Sequence, residues 1–210
     1  MDELDLLKKD WKRNENAFNQ ISEKEIYAML HKKSSSIVKW ILIISILEVL
    51  LWTAMGMLPN TDEYLDKMGH AEYADYFQWF NYFNYSVILV FIYLFYRNYV
   101  AISTTASTKK LMDDIIRTRK TVNYYVWYNL SMIVLSFIVG FIIAFICNPD
   151  VDQLRQKVQE DGRLMALLIG FLVVIVAVIA FLAWLFYRLV YGIFLRKLLA
   201  NYKELKKIDL

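Results

Sequence analysis

Four uninterrupted apolar runs, each about twenty residues or longer, constrain this chain more than any other feature. At about 1.5 Å of rise per helical residue, such a run covers the roughly 30 Å of hydrocarbon in a bilayer. The first covers residues 37–58 and stops at Pro59-Asn60, where proline cannot continue a helix. The second covers 77–102, is dense in aromatic residues and holds Arg97 near its end. The third covers 122–147 and ends at Asn148-Pro149, and the fourth covers 164–187. None contains an internal proline. Inside lipid the backbone must satisfy its own hydrogen bonds, so β-branched residues in these runs do not argue for strands. Hydrophobic residues make up 58% of the chain and charged ones 21%. They segregate into blocks, as expected of a chain that meets two solvents. The sequence thus predicts an all-α polytopic membrane protein built as a four-transmembrane-helix bundle.

Lysine and arginine counts orient that bundle. Segment 1–36 together with Lys39 holds eight, the connection 103–121 together with Arg97 holds six, and 188–210 holds six. The loops 59–76 and 148–163 hold four between them. Twenty against four predicts both termini on the cytoplasmic side. Trp40, Tyr124, Tyr125, Trp127, Trp184 and Tyr187 read as an aromatic belt at the inner interface, with Tyr76, Trp79 and Tyr82 at the outer one. The 36 mixed-charge residues ahead of the first run do not read as a removable signal peptide. The formal charge of +3, with its basic residues beside apolar runs, gives no nucleic-acid footprint.

The polar segments carry helix signals of their own. Ser22-Glu23-Lys24-Glu25 fits a capping box and leads into Ile26, Met29 and Leu30 at helical spacing. Leu4, Leu7 and Trp11 suggest a second short amphipathic helix upstream. In 103–121, Leu111, Met112, Ile115 and Ile116 make one apolar stripe, with Lys110 and Asp114 expected on the opposite face. Leu195, Leu198, Leu199 and Tyr202 repeat the pattern in 188–210. The proline-free run from Leu164 to Lys207, interrupted only by Gly192, predicts one long helix. Such stripes can cover one another, lie on the lipid surface or bind another protein. Leu4, Leu7, Trp11, Ile26, Met29, Leu30, Leu198 and Tyr202 are the partner-binding candidates.

Chemistry-bearing motifs are absent. His70 lies among acids in 59–76 without HxH or HExxH spacing, which reads as a solvated loop. His31 beside Lys32 and Lys33 reads as a headgroup contact. The single cysteine, Cys147, excludes an internal disulfide and reads as a small apolar residue near a helix end. There is no P-loop, nucleophile elbow, dinucleotide fingerprint or metal-ligand set. The expectation is a non-enzymatic protein with no catalytic residues, metal or cofactor.

One ionisable residue lies deep within an apolar run without explanation. Glu48 sits eleven residues from Ile37 and ten from Leu58, where a carboxyl costs roughly 3 kcal/mol or more. Ser45 and Trp52 share its helix face, and no Lys, Arg or His lies at comparable depth in the other runs. Tyr85, Ser86, Tyr93, Ser131 and Ser136 are the available partners within the chain. Glu48 with Ser45 is therefore an intramembrane polar site with three readings: a register-fixing hydrogen bond in the bundle, a contact to another subunit, or a proton or cation site in transport. Transport usually also needs a relay or a broken helix near the midplane, and neither is visible. Ser136, Gly140 and Ala144, and likewise Ala166 and Gly170, recur every four residues and predict close helix packing, within the chain or between copies.

The stretch Leu4-Asp5-Leu6-Leu7-Lys8-Lys9-Asp10-Trp11-Lys12, then Ser22-Glu23-Lys24-Glu25-Ile26-Tyr27 and the run from His31 to Trp40, resembles small uncharacterised multi-pass membrane proteins of Flavobacteriia and related Bacteroidota. The resemblance is clear over about the first 50 residues. Such proteins often bear the label β-carotene monooxygenase, which these residues do not support: that chemistry uses four histidine ligands on a β-propeller, and this chain has two histidines. The resemblance implies a bacterial inner membrane and proximity to extracytoplasmic-function sigma factors. Two interaction roles are expected on that basis: an accessory subunit of a larger membrane complex, or an anti-sigma-like anchor that holds a cytoplasmic regulator through the Leu4–Lys33 region. A small proton- or cation-coupled transporter using Glu48 is the alternative.

Overall fold

The computed structural model describes residues 22–56 and 72–208. The described residues form five α-helices in the order α1 Glu23–Gly56, α2 Glu72–Thr104, α3 Thr108–Cys147, α4 Asp152–Glu160 and α5 Gly162–Ile208, with a 3-10 turn at Pro149–Val151 ahead of α4. No strand occurs among the described residues. Helices α1, α2, α3 and α5 are long and apolar enough to cross a membrane, which makes the chain a multi-pass membrane protein by helix length and composition.

The capping box forms as the sequence expects. Ser22 N donates to Glu25 Oε2 (2.9 Å), and Glu25 N donates to Ser22 Oγ (3.3 Å). The helix that it opens is not the short separate one that the spacing predicts. With no proline or glycine between residues 23 and 55, helix propagation has no reason to stop, and α1 runs 34 residues straight into the first apolar run. In the same way α3 begins at Thr108 and continues for 40 residues. The proline-free run after Leu164 lies within one helix, α5. Segment 148–163, which reads as plain loop in the sequence, contains α4.

Helix α1 packs on α2 and α5, and α3 packs on the same two, so the four long helices form a ring with α1 and α3 on one diagonal. Packing is concentrated at one end, which we call the basic half; it holds the start of α1, the α2–α3 turn and the end of α5. Its core runs through Leu30, Ile41, Phe95, Ile115, Tyr191 and Leu198, with Leu205 at the bottom. Burying such a side chain from water contributes roughly 1.5–3 kcal/mol. In lipid that driving force between helices vanishes, because the tails are as apolar as leucine. Accordingly, none of the most apolar stretch of α5 and little of that of α3 is buried within the molecule.

This core decides among the three covers for the amphipathic stripes. Leu30, Leu111, Ile115 and Leu198 are buried, and Ile26, Met112, Leu195 and Tyr202 pack against them, so these stripes cover one another. Met29 stays exposed. Leu4, Leu7, Trp11 and His70 lie outside the described residues. Asp114 departs from the expected solvated face: it is buried beside Leu111 and Ile115, and Thr105 Oγ1 donates to its Oδ2 (3.0 Å). A carboxylate can occupy the core face when a hydroxyl from the neighbouring turn satisfies it.

Candidate functional site: a buried carboxyl held by three phenols

Glu48 is buried on α1 and faces the middle of the ring. Three tyrosine hydroxyls donate to its carboxyl. Tyr125 Oη from α3 reaches Oε2 (3.0 Å), Tyr191 Oη from α5 reaches the same oxygen (2.9 Å), and Tyr187 Oη from α5 bonds Oε1. The i, i+4 spacing of Tyr187 and Tyr191 puts both phenols on one face of α5, with their rings stacked at 6.0 Å between centroids. The Tyr125 ring meets Tyr191 edge-on at 5.9 Å, and Phe91 and Phe95 of α2 close its other side at 5.5 and 5.3 Å. All four long helices thus contribute, and the carboxyl is tied by hydrogen bonds to two of them.

The partners differ from those the sequence offers. Tyr85 and Tyr93 are exposed, Ser86 Oγ donates to Tyr82 O in its own helix (2.7 Å), and Ser131 and Ser136 are exposed. Ser45 is buried but donates to Leu42 O of its own helix (2.8 Å), and Trp52 is exposed. Tyr125 and Tyr187, assigned from sequence to the inner aromatic belt, are buried instead. Trp40, Tyr124 and Trp127, and also Tyr76, Trp79 and Tyr82, are exposed as belt residues should be. Tyrosine fits both settings because it joins an apolar ring to a hydroxyl donor, and belt position alone hides the difference. The pair Tyr187-x-x-x-Tyr191 was the available signal.

Further polar ties run below the clasp, all missed in the sequence. Asn98 Nδ2 of α2 donates to Thr121 Oγ1 of α3 (3.1 Å), and Asn201 Nδ2 of α5 donates to Ser34 Oγ of α1 (3.0 Å). Tyr27 Oη donates to Thr105 O at the α2–α3 turn (3.0 Å). His31, expected at a headgroup, is half-buried with its ring 5.9 Å from that of Tyr27. On the other side of the clasp Tyr128 Oη donates to Asn84 Oδ1 (2.9 Å). These bonds set the helix register, because a buried polar group left without its partner costs about 1–3 kcal/mol.

The far half holds an apolar arm. Measured along the axes, α1 is described for eight residues past Glu48, about 12 Å, and α3 for twenty-two past Tyr125, about 33 Å. α5 accompanies α3 over that length. Between them lies a groove of about 230 Å³ lined only by apolar side chains, among them Ile138, Phe141, Phe145, Met165, Ile169 and Leu172. Ser136, Gly140 and Ala144 on α3, and Ala166 and Gly170 on α5, are all exposed, and a Cβ on either glycine would meet nothing within 4 Å. The small residues therefore do not bring helices together among the described residues. At the end of the arm Cys147 is buried, and Arg155 of α4 caps α3 by donating to Phe145 O (2.9 Å) and Ile146 O (2.7 Å).

Among the described residues no cluster of His, Cys, Asp or Glu could hold a metal ion. Residues 24–210 match the family model described as a domain of unknown function, DUF8845. No curated protein and no solved structure matches the chain.

Proposed function

For this chain, which belongs to the DUF8845 family, we propose a non-enzymatic role as an accessory subunit that joins other membrane proteins through its α3–α5 arm. The observation behind it is the open space around Gly140 and Gly170, where no described residue comes within 4 Å of an added Cβ. In lipid, small residues gain by letting another helix approach closely, and none of the described helices does so here. The partner is a second membrane protein or a second copy. Glu48 fits this reading as a register-fixing residue, since its two oxygens are engaged by three phenols of the same chain. The basic half, with sixteen of the lysines and arginines among the described residues, faces the cytoplasm in a bacterial inner membrane.

The regulator-anchor reading has less support. Ile26, Leu30, Leu198 and Tyr202 are taken up by the bundle, which leaves it resting on Met29 and on Leu4, Leu7 and Trp11. Purification of the full chain in mild detergent separates the two. Comigrating membrane subunits or a dimer are expected, and Gly140→Leu with Gly170→Leu should abolish them while leaving the melting temperature unchanged. A monomer that brings no membrane protein, or that retains only a soluble regulator, overturns the proposal.

A further inference from the structure

Cations encircle the basic half, and among the described residues they have no acidic partner. Lys39 on α1, Arg97 on α2, Lys120 on α3, and Arg188 and Arg196 on α5 are all exposed. Between described residues the one ion pair is Arg155–Asp152 at the opposite end (3.1 Å). Over Ile26–Gly56, Tyr76–Thr104, Ile115–Cys147 and Leu164–Lys203 the only acidic residue is Glu48, and it is buried. Each helix thus presents a positive charge with no exposed carboxylate beside it.

The hydrogen bonds fix the heights of these charges. Asn98 bonds Thr121, so their neighbours Arg97 and Lys120 lie level on α2 and α3, one turn below the Tyr125 clasp residue. Arg188 lies between the two α5 phenols that hold Glu48, with its guanidinium carbon 4.8 Å from the Trp184 ring centre. Arg196 is five residues from Tyr191 and Lys39 nine from Glu48, about 8 and 14 Å along their helices. The charges therefore occupy one band. Its backbone spread of about 14 Å is roughly twice the polar layer of one leaflet, about 5–8 Å, a difference that long basic side chains close by reaching toward that layer from either side. Trp40, Tyr96, Tyr124 and Trp127 stand exposed within the band, as interfacial aromatics do.

We infer that this band binds the phosphate headgroups of anionic phospholipids, forming a lipid girdle around the basic half of the bundle. A zwitterionic headgroup brings its own cation to each phosphate and so does not neutralise the band, whereas an anionic one does. The inference is independent of what the α3–α5 arm binds.

The test reconstitutes the full chain in vesicles of equal phosphatidylcholine and phosphatidylglycerol, extracts it gently and counts retained lipids by native mass spectrometry. Phosphatidylglycerol should be enriched several-fold over phosphatidylcholine, and raising the salt before extraction should erode the enrichment. Arg97→Gln with Lys120→Gln, both at exposed positions, should lower it roughly two- to fivefold for each charge removed. Lys157→Gln with Arg163→Gln, at the other end, should leave it unchanged. Equal retention of the two lipids overturns the inference, whether the band stays bare or takes an acidic protein. An equal loss in the control pair also overturns it, because net charge would then account for the preference.

Discussion

A carboxyl inside a helix bundle is tolerated when both of its oxygens have donors, and Glu48 has three phenols to meet that demand. Removing one phenol and removing the carboxyl are then unequal changes. Tyr187→Phe takes away one donor and keeps the ring, and should destabilise the bundle by about 1 kcal/mol. Glu48→Leu strands three buried hydroxyls and should cost about 3 kcal/mol, with Glu48→Gln in between because its amide keeps one acceptor oxygen. Thermal unfolding in mild detergent ranks the three, and a Glu48→Leu variant as stable as the parent would show that the clasp contributes nothing. The carboxyl was legible in the sequence because an acid in an apolar run has no other explanation. Its partners were not, since Tyr125 and Tyr187 sit where interfacial aromatics also sit. Asp114 was misplaced for a related reason: an apolar stripe predicts which face is buried, but not that a threonine from the next turn will satisfy an acid on that face.

At the scale of the helix, ends are set by capping and by breakers, and a membrane surface is neither. Amphipathic and transmembrane periodicities therefore fused into single helices, α1 and α3, that composition had divided. The start at Ser22-Glu25 was legible because the capping box is a local code. Ser22→Ala should cost about 1 kcal/mol and fray the first turn of α1, seen as faster amide exchange there. The end of α3 obeys a longer-range device. Arg155 reaches back ten residues to Phe145 O and nine to Ile146 O, while its Nη1 pairs with Asp152 at 3.1 Å. A guanidinium on the last carbonyls satisfies orphan acceptors and opposes the negative end of the helix dipole. Arg155→Gln should speed amide exchange over the last turn of α3 and over α4, with about 1–2 kcal/mol lost locally and the basic half untouched. Nothing in the sequence announces this cap, because α4 looks like a polar loop until it is folded against α3.

For the molecule as a whole, the sequence treats the first apolar run as equal to the other three, and the packed structure does not. Part of the apolarity of α1 belongs to the core: Ile37, Val38 and Ile41 are covered by the bundle. α1 stays in step with α5, since Ser34 meets Asn201 fourteen residues from where Glu48 meets Tyr187. The first apolar run ends before Pro59, ten residues or about 15 Å past Glu48, against about 33 Å of helix for α3 past Tyr125. If the cationic band marks one face of the hydrocarbon, α1 reaches the other only where the bilayer is thin, while α3 and α5 span comfortably. A mismatch of this kind costs a fraction of a kcal/mol per Å. Reconstitution in lipids of increasing acyl length should therefore lower the melting temperature steadily from the shortest chains upward, whereas four equal spans would give a maximum near ordinary thickness. The same series examines the arm: in thin bilayers more of the α3–α5 groove leaves the hydrocarbon, so association through Gly140 and Gly170 should strengthen as lipid cover is lost. Association that ignores thickness would mean that close packing at Gly140 and Gly170 holds the partner without help from exposed apolar surface.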